Sequence, residues 1–374
     1  MSDDISVRAR RSRQWLALCW GGRARIGRRL IREVLAGEVG LSDAVTRLDP
    51  DWRKVRAIAS RCAALRIRIL DYEHPRYPAA FRAIDTPPGV IFTRGRLRTL
   101  ADLQIAIVGA RRATPYGCEI AKQFAAELVR AGLTITSGLA AGIDAASHRG
   151  ALDGGGHTVA VLGCGIDIAY PRANADLRNE IPAAGVLVSE YPPGSPPRAH
   201  HFPARNRLIS ALGHAVVVVE AGERSGSLIT ARTALEQGTE VLAVPGPIDH
   251  PLSKGCHSLI KSGAALVESA ADILRELAPT LTAAMGDAPT RLPKSHADRA
   301  VSQAPLVHNR GLRDEAPRSG REDLGAHLSW LPTTVDELVE RSGLTVETVS
   351  SMLLALELRG EARALVGGTF VRAH

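Results

Sequence analysis

Gln104-Ile-Ala-Ile-Val-Gly-Ala-Arg-Arg-Ala-Thr-Pro-Tyr-Gly117 is the stretch that decides the fold. Its first residues form a short apolar run without alternation, the pattern of a strand covered on both faces. A glycine follows at once, where backbone can approach a ligand, and a helical stretch comes next near 117–131. Outward from this unit the same order repeats. Further strand candidates are 133–136, 158–162, 186–188, 215–220, 240–244 and 265–267, with helical stretches near 141–152, 173–182, 227–237 and 254–262. Such alternation predicts an α/β fold, a doubly wound sheet of parallel or mostly parallel strands, over 72–278.

The flanks read differently. Before residue 71 Leu16, Leu18, Ile26, Leu30, Ile31, Val34 and Leu35 recur at three- and four-residue spacing, which predicts a small helical domain over 1–71. Residues 1–32 hold nine arginines against Asp3 and Asp4, either a nucleic-acid contact or a solvated helix face. From 279 to 330 periodicity vanishes among Pro, Ala, Ser, Arg and Asp, which predicts a disordered linker. Order returns over 331–374 with two short helices and a hairpin turning at Gly367–Gly368, a miniature winged helix.

The 374 residues are 45% hydrophobic with formal net charge +8, enough to bury a core and to make a polyanionic partner worth testing. Lysine contributes 5 of the 47 basic residues, so arginine carries the charge, through coding bias or through a use for its planar fork on phosphate. No apolar run approaches the roughly 20 residues of a membrane span. The Arg-rich N-terminus lacks a signal-peptide pattern. Five scattered cysteines point to a reducing, cytoplasmic setting.

In such folds ligands bind at the carboxyl ends of strands, so the loops there carry the chemistry. Arg111 lies in the first, either projecting over the sheet edge or simply solvated. The second, Ser137-Gly-Leu-Ala-Ala-Gly-Ile-Asp144, opens a helix with small residues, a ready anion site. Asp144 is there a base, a ribose ligand or a structural carboxylate. The third, Gly163-Cys-Gly-Ile-Asp-Ile-Ala-Tyr-Pro171, leads to Arg172; Cys164 has no base at recognisable spacing and reads as an inert packed thiol. Arg205, Asn206 and Arg207 open a predicted helix and suit phosphate and base-edge contact, or a network anchoring the loop. Ser225, Gly226 and Ser227 form a second small-residue helix start. No G-x-G-x-x-G follows a strand here and no G-x-x-x-x-G-K-[ST] occurs, so NAD and P-loop chemistry lack support. Histidines and cysteines show no metal-site spacing, and His148 and His257 read as structural. No cofactor or metal is expected.

The ordered set V-G-A-R-R-A-T-P-Y-G, S-G-L-A-A-G-I-D, L-G-C-G-I-D-I-A-Y-P, S-E-Y-P-P-G, F-P-A-R-N-R-L-I-S and S-G-S-L-I-T resembles the bacterial DNA-processing protein A (Smf) family. The resemblance is strong from about 72 to 275 and looser at both ends. It implies an extended Rossmann domain that binds single-stranded DNA, forms a homodimer, protects incoming strands and loads RecA in natural transformation, with no catalytic turnover. Carried onto this chain, the implied DNA contacts are Arg111, Ser137, Gly138, Ala140, Arg172, Arg205, Asn206 and Arg207, with Ser225, Gly226 and Ser227 in second rank. A rival reading is a phosphoribohydrolase-like enzyme on the same Rossmann variant. That group carries a carboxylate in the fifth loop, whereas here Thr230 is followed by Ala231, Arg232 and Thr233, and Glu236 is the first acid. A nucleotide sensor without DNA needs a single phosphate site and leaves the arginine placement unexplained.

From Leu331 to His374 four arginines face six acidic residues, unlike the basic footprint of a DNA reader. We therefore expect this module to contact protein, or to assist duplex binding weakly. Deleting it should leave single-strand affinity nearly unchanged in a titration; a tenfold loss would contradict this.

Overall fold

A computed structural model of the chain describes residues 2–285, 324, 328, 333–359, 361–365 and 369–372. It divides into two units, Met1–Leu281 and Thr282–His374. The first opens with four helices, α1 (Ser2–Trp20), α2 (Ala24–Leu35), α3 (Leu41–Leu48) and α4 (Trp52–Ala64). Then come β1 (Arg68–Asp71), α5 (Ala79–Arg82) and β2 (Val90–Gly95). The alternating part runs β3 (Gln104–Val108), α6 (Pro115–Arg130), β4 (Thr134–Ser137), α7 (Ile143–Asp153), β5 (Thr158–Leu162), α8 (Ala175–Ala184) and β6 (Val186–Ser189). It continues through α9 (His201–Leu212), β7 (Ala215–Val218), α10 (Gly226–Glu236), β8 (Glu240–Ala243), α11 (Lys254–Lys261), β9 (Ala265–Leu266) and α12 (Ala270–Met285).

Nine strands make one sheet in the order β1-β2-β6-β5-β4-β3-β7-β8-β9. From β6 to β9 every neighbour is parallel, while β2 pairs antiparallel with both β1 and β6. The chain steps from β3 outward to β6, then returns to the other side of β3 with β7. In register, Ile105 lies beside Ala215 and Val108 beside Val218. Where the order reverses, the loops after β3 and β7 diverge and leave a crevice at the carboxyl ends of the strands.

The continuous apolar runs are explained by cover on both faces. In β3, Ile105 and Ile107 join Phe124, Leu128 and Ile143 of α6 and α7 and Ile273 of α12. Ala106 and Val108 join Leu208, Ile209 and Leu212 of α9 and Leu228 and Ala231 of α10. Successive side chains on a strand point to opposite faces, so each run serves two cores.

Two expected boundaries move. The N-terminal helices are not separate from the sheet: β1 is one of its strands, so a division at 71 cuts through a ladder. Trp15, Leu16 and Leu18 of α1 share a core with Val90 and Phe92 of β2, Leu162 of β5 and Leu187 of β6. Helical periodicity shows that a face must be buried; it does not show whether the cover is a helix or a sheet. At the other end α12 runs through Pro279 to Met285, where the linker was expected to start. The rest of 279–330, apart from Leu324 and Leu328, lies outside the described residues, as does the Gly367–Gly368 turn.

The second unit contains β10 (Thr333–Thr334), α13 (Val335–Ser342), α14 (Val346–Leu358), β11 (Ala362–Leu365) and β12 (Thr369–Arg372), with strand order β10-β12-β11. It is a winged helix. Thr334 caps α13 and Glu337 reaches back to the Thr334 N–H, a reciprocal capping box. Leu338, Val349, Leu353 and Leu356 form its core with Ala362.

A shared core predicts shared unfolding. Trp15, 1% exposed, should on Trp15→Ala replacement cost about 3–5 kcal/mol in the main denaturant transition. A main transition left unchanged would mean that the N-terminal helices fold on their own.

Candidate nucleic-acid interface

The crevice at the β3/β7 reversal is a cleft of about 800 Å³. Its walls are set by buried hydrogen bonds. Glu220, just past β7 and 8% exposed, accepts the Thr114 N–H at 2.9 Å and the Thr114 hydroxyl at 2.5 Å. The same hydroxyl accepts the Gly117 N–H at 2.9 Å and so caps α6. A Cβ at Gly117 would collide with the Glu220 carboxylate. This anchors the loop after β3 to the end of β7 and leaves Arg111 and Arg112 exposed at the mouth. The Arg111 guanidinium lies 5.1 Å from the centre of the Phe202 ring, which in turn packs on Tyr170 at 5.4 Å.

The turn after β4 differs from expectation. The Ser137 hydroxyl is buried and donates to the Ile107 carbonyl at 2.6 Å, so it is spent inside the fold. The N–H groups of Gly138 and Ala140 are aimed at Asp144 Oδ2, at 3.2 and 3.3 Å. The protein's own carboxylate thus occupies the anion position that the small-residue motif suggested for a phosphate. Asn174 closes the turn by donating to the Leu139 and Ala140 carbonyls at 3.1 Å each. Asp144 is therefore a structural carboxylate, first in line for the turn's donors.

Arg205 is also internal. It is 4% exposed and donates to the Gly138 carbonyl at 2.7 Å and to the Val161 carbonyl, tying α9 to the ends of β4 and β5. Burial pulls its guanidinium down to about 10, against the opposing pull of Asp144. Burial conversely pushes the Asp144 carboxyl up, with Arg205 and the Ala140 and Gly138 N–H groups restraining the rise. A Cβ at Gly138 would lie 2.5 Å from an Arg205 nitrogen, so this glycine makes room for the arginine.

Other expected contacts are dispersed. Arg207 sits on another side of α9 and donates to both Glu190 carboxylate oxygens at 2.9 Å; it lines a different cavity. Arg172 is exposed at the start of a short 3-10 turn and does not line the cleft. Asn206, Ala140, Ser225, Gly226 and Ser227 do line it. Ser225 caps α10 by accepting the Ser227 N–H at 3.3 Å, and open space surrounds the position a Gly226 Cβ would take. Exposed Arg198 and Arg224 complete the lining. Arg198 follows a proline pair with no motif to mark it, and Glu220 reads in sequence only as a strand end, so neither had a local signal. Five arginines and a single acid, Asp144, line the cleft. Four of those arginines are exposed and make no ion pair among the described residues.

Cys164, His148 and His257 are engaged within the fold. Burial pushes the Cys164 thiol up to about 11, so it stays protonated near neutrality. His148 is fully buried against the Thr158 hydroxyl at 2.6 Å, and His257 meets the Gly246 carbonyl at 3.0 Å. No His, Cys, Asp and Glu group that could hold a metal ion occurs among the described residues. Glu236 ends α10, about 15 Å of helix away from the cleft mouth at Gly226, which weighs against the hydrolase reading. No described helix is long and apolar enough to cross a membrane.

Comparison with known proteins places this geometry. Residues 68–278 match the model of the DNA recombination-mediator protein A family, and 313–368 match its DprA winged helix domain. Protein Smf of Escherichia coli is 43% identical over 295 residues, 78% of this chain and 74% of that one. DNA processing protein DprA of Streptococcus pneumoniae is 45% identical over 200 residues, 54% of this chain and 71% of that one. The X-ray structure of the pneumococcal protein superposes with a TM-score of 0.59 at 35% identity, covering 71% of this chain and 93% of its own. The DNA processing protein A of Helicobacter pylori, described for its single-stranded DNA binding mode, superposes at 0.52 and 30% identity, covering 57% and 96%.

The buried histidine under the turn makes stability pH-dependent. Burial, and secondarily Arg205, lowers His148 from 6.5 to about 3. The unfolded chain then binds a proton that the folded chain refuses, so stability is complete above pH 6.5 and falls below it. Urea unfolding at pH 5 should show a loss of about 2 kcal/mol relative to pH 7. That part of the loss should vanish in His148→Gln, and an unaltered pH dependence in the variant would contradict the assignment.

Proposed function

The chain belongs to the DNA recombination-mediator protein A family, and from that premise we propose that its switch-point cleft holds single-stranded DNA, which it shields and delivers to RecA as a homodimer in natural transformation. The observation that carries the reading is Arg111, exposed over the Phe202 ring at the head of the cleft. Contact with the ring satisfies none of the guanidinium N–H groups, so these donors remain for phosphate oxygens. Arg112, Arg198 and Arg224 add positive charge around the same opening. Phosphate contact of this kind is independent of sequence and weakens with salt.

The preference for single strands rests on the rings. Phe202 and Tyr170 lie in the cleft with the arginines, Tyr170 being 40% exposed. An unpaired base has a free face to set against such a ring, whereas bases in a duplex are already stacked. The start of α10 at Ser225–Ser227 supplies donors for a further phosphate. The contacts proposed for this chain are therefore Arg111, Asn206, Ser225, Gly226 and Ser227, joined by Arg112, Arg198 and Arg224. Arg205, Ser137, Gly138 and Ala140 support them from below, and Arg172 and Arg207 lie outside the cleft.

A salt series of binding to single-stranded and duplex oligonucleotides tests this. Wild type should prefer single strands, and Arg111→Ala should lower that affinity roughly tenfold. It should also flatten the log–log salt dependence by about 0.7, the value of one phosphate. Equal binding of both DNA forms, or an Arg111→Ala variant that binds as wild type, would refute the reading.

A further inference from the structure

A second cavity, of about 530 Å³, lies between α2 and the other side of α9. It shares the α9 wall with the switch-point cleft: Pro203 lines the cleft and the next residue, Ala204, lines the cavity. On the α2 side, Ala24, Arg28, Ile31, Arg32 and Leu35 line it, positions spaced to fall on one helix face. Arg28 and Arg32 are one turn apart and exposed, and they make no ion pair among the described residues. Neighbouring Arg29, by contrast, is held by Glu33 at 2.7 Å. Inside, half-buried Trp20 meets Tyr191 edge-on at 6.3 Å. Of the two carboxylates in its lining, Glu190 is neutralised by both contacts from Arg207, and Asp85 is exposed to solvent.

We propose that a single strand seated in the switch-point cleft continues over the start of α9 onto α2, setting two phosphates on Arg28 and Arg32 and a base into the cavity against Trp20. This rests on the reading of the cleft as a single-strand site and extends it to a module not otherwise assigned a ligand. The chemistry of the cavity is that of a nucleotide: an aromatic floor for the base, with free guanidinium groups at the rim for its phosphates. It also gives a use to the arginine-rich start of the chain, where α2 carries four arginines and one acid, Glu33.

The experiment compares full-length wild type with Arg28→Gln/Arg32→Gln, Trp20→Leu and Arg111→Ala on two oligonucleotides. One has about 5 nucleotides, near the lower limit of a single-strand site, and the other about 20. Thermal melts check that each variant is folded. The double arginine variant should bind the short strand as wild type does, lose roughly tenfold on the long one, and flatten the long-strand salt dependence by about 1.4. Trp20→Leu should lose roughly fivefold or more on the long strand alone; unchanged affinity there removes the base from the cavity. If the double variant keeps wild-type affinity and slope on the long strand while Arg111→Ala weakens both lengths, the α2 extension is wrong and the cleft reading stands. If Arg111→Ala weakens neither, both fall together.

Discussion

A buried charge must be partnered, and the cleft is organised around that constraint. Arg205 and Asp144 are both taken out of water beneath the turn after β4, where an unpaired ion would cost several kcal/mol. Arg205 satisfies itself on the carbonyls that end β4 and β5, and Asp144 on the N–H groups of Gly138 and Ala140. Carbonyls left at strand ends and amides left at a helix start are thereby used up within the protein. Glu220 does the same for the loop after β3 through Thr114.

The result is a division of labour among charges that look alike in sequence. Internal ions hold three loops in fixed positions, and they are matched within the fold. The exposed arginines that line the cleft make no ion pair among the described residues. Such preorganisation lowers the ordering cost of binding a flexible polyanion. Phe202 both contacts Arg111 and borders the cleft.

The fold was largely legible because a strand covered on both faces leaves a continuous apolar run, and seven such runs alternate with helical stretches. What escaped was the antiparallel edge, β1 and β2, which lies among prolines that read as a connector, and the docking of α1 onto the sheet. The site was partly legible. Arg111, Asn206 and Ser225–Ser227, singled out from their motifs, line the cleft. Ser137, Arg205 and Arg207 carry the same donor chemistry but spend it on Ile107, on strand-end carbonyls and on Glu190.

By itself the sequence determined the class of fold, the set of loops that meet at the strand ends, and the family. Local pattern suffices for these because side-chain period and loop composition are properties of neighbouring residues. Tertiary structure alone decided which arginines are free. A guanidinium is available to a phosphate only if no carbonyl or carboxylate reaches it first, and those partners come from elsewhere in the chain: Val161 for Arg205 and Glu190 for Arg207, whereas Arg111 meets only the Phe202 ring.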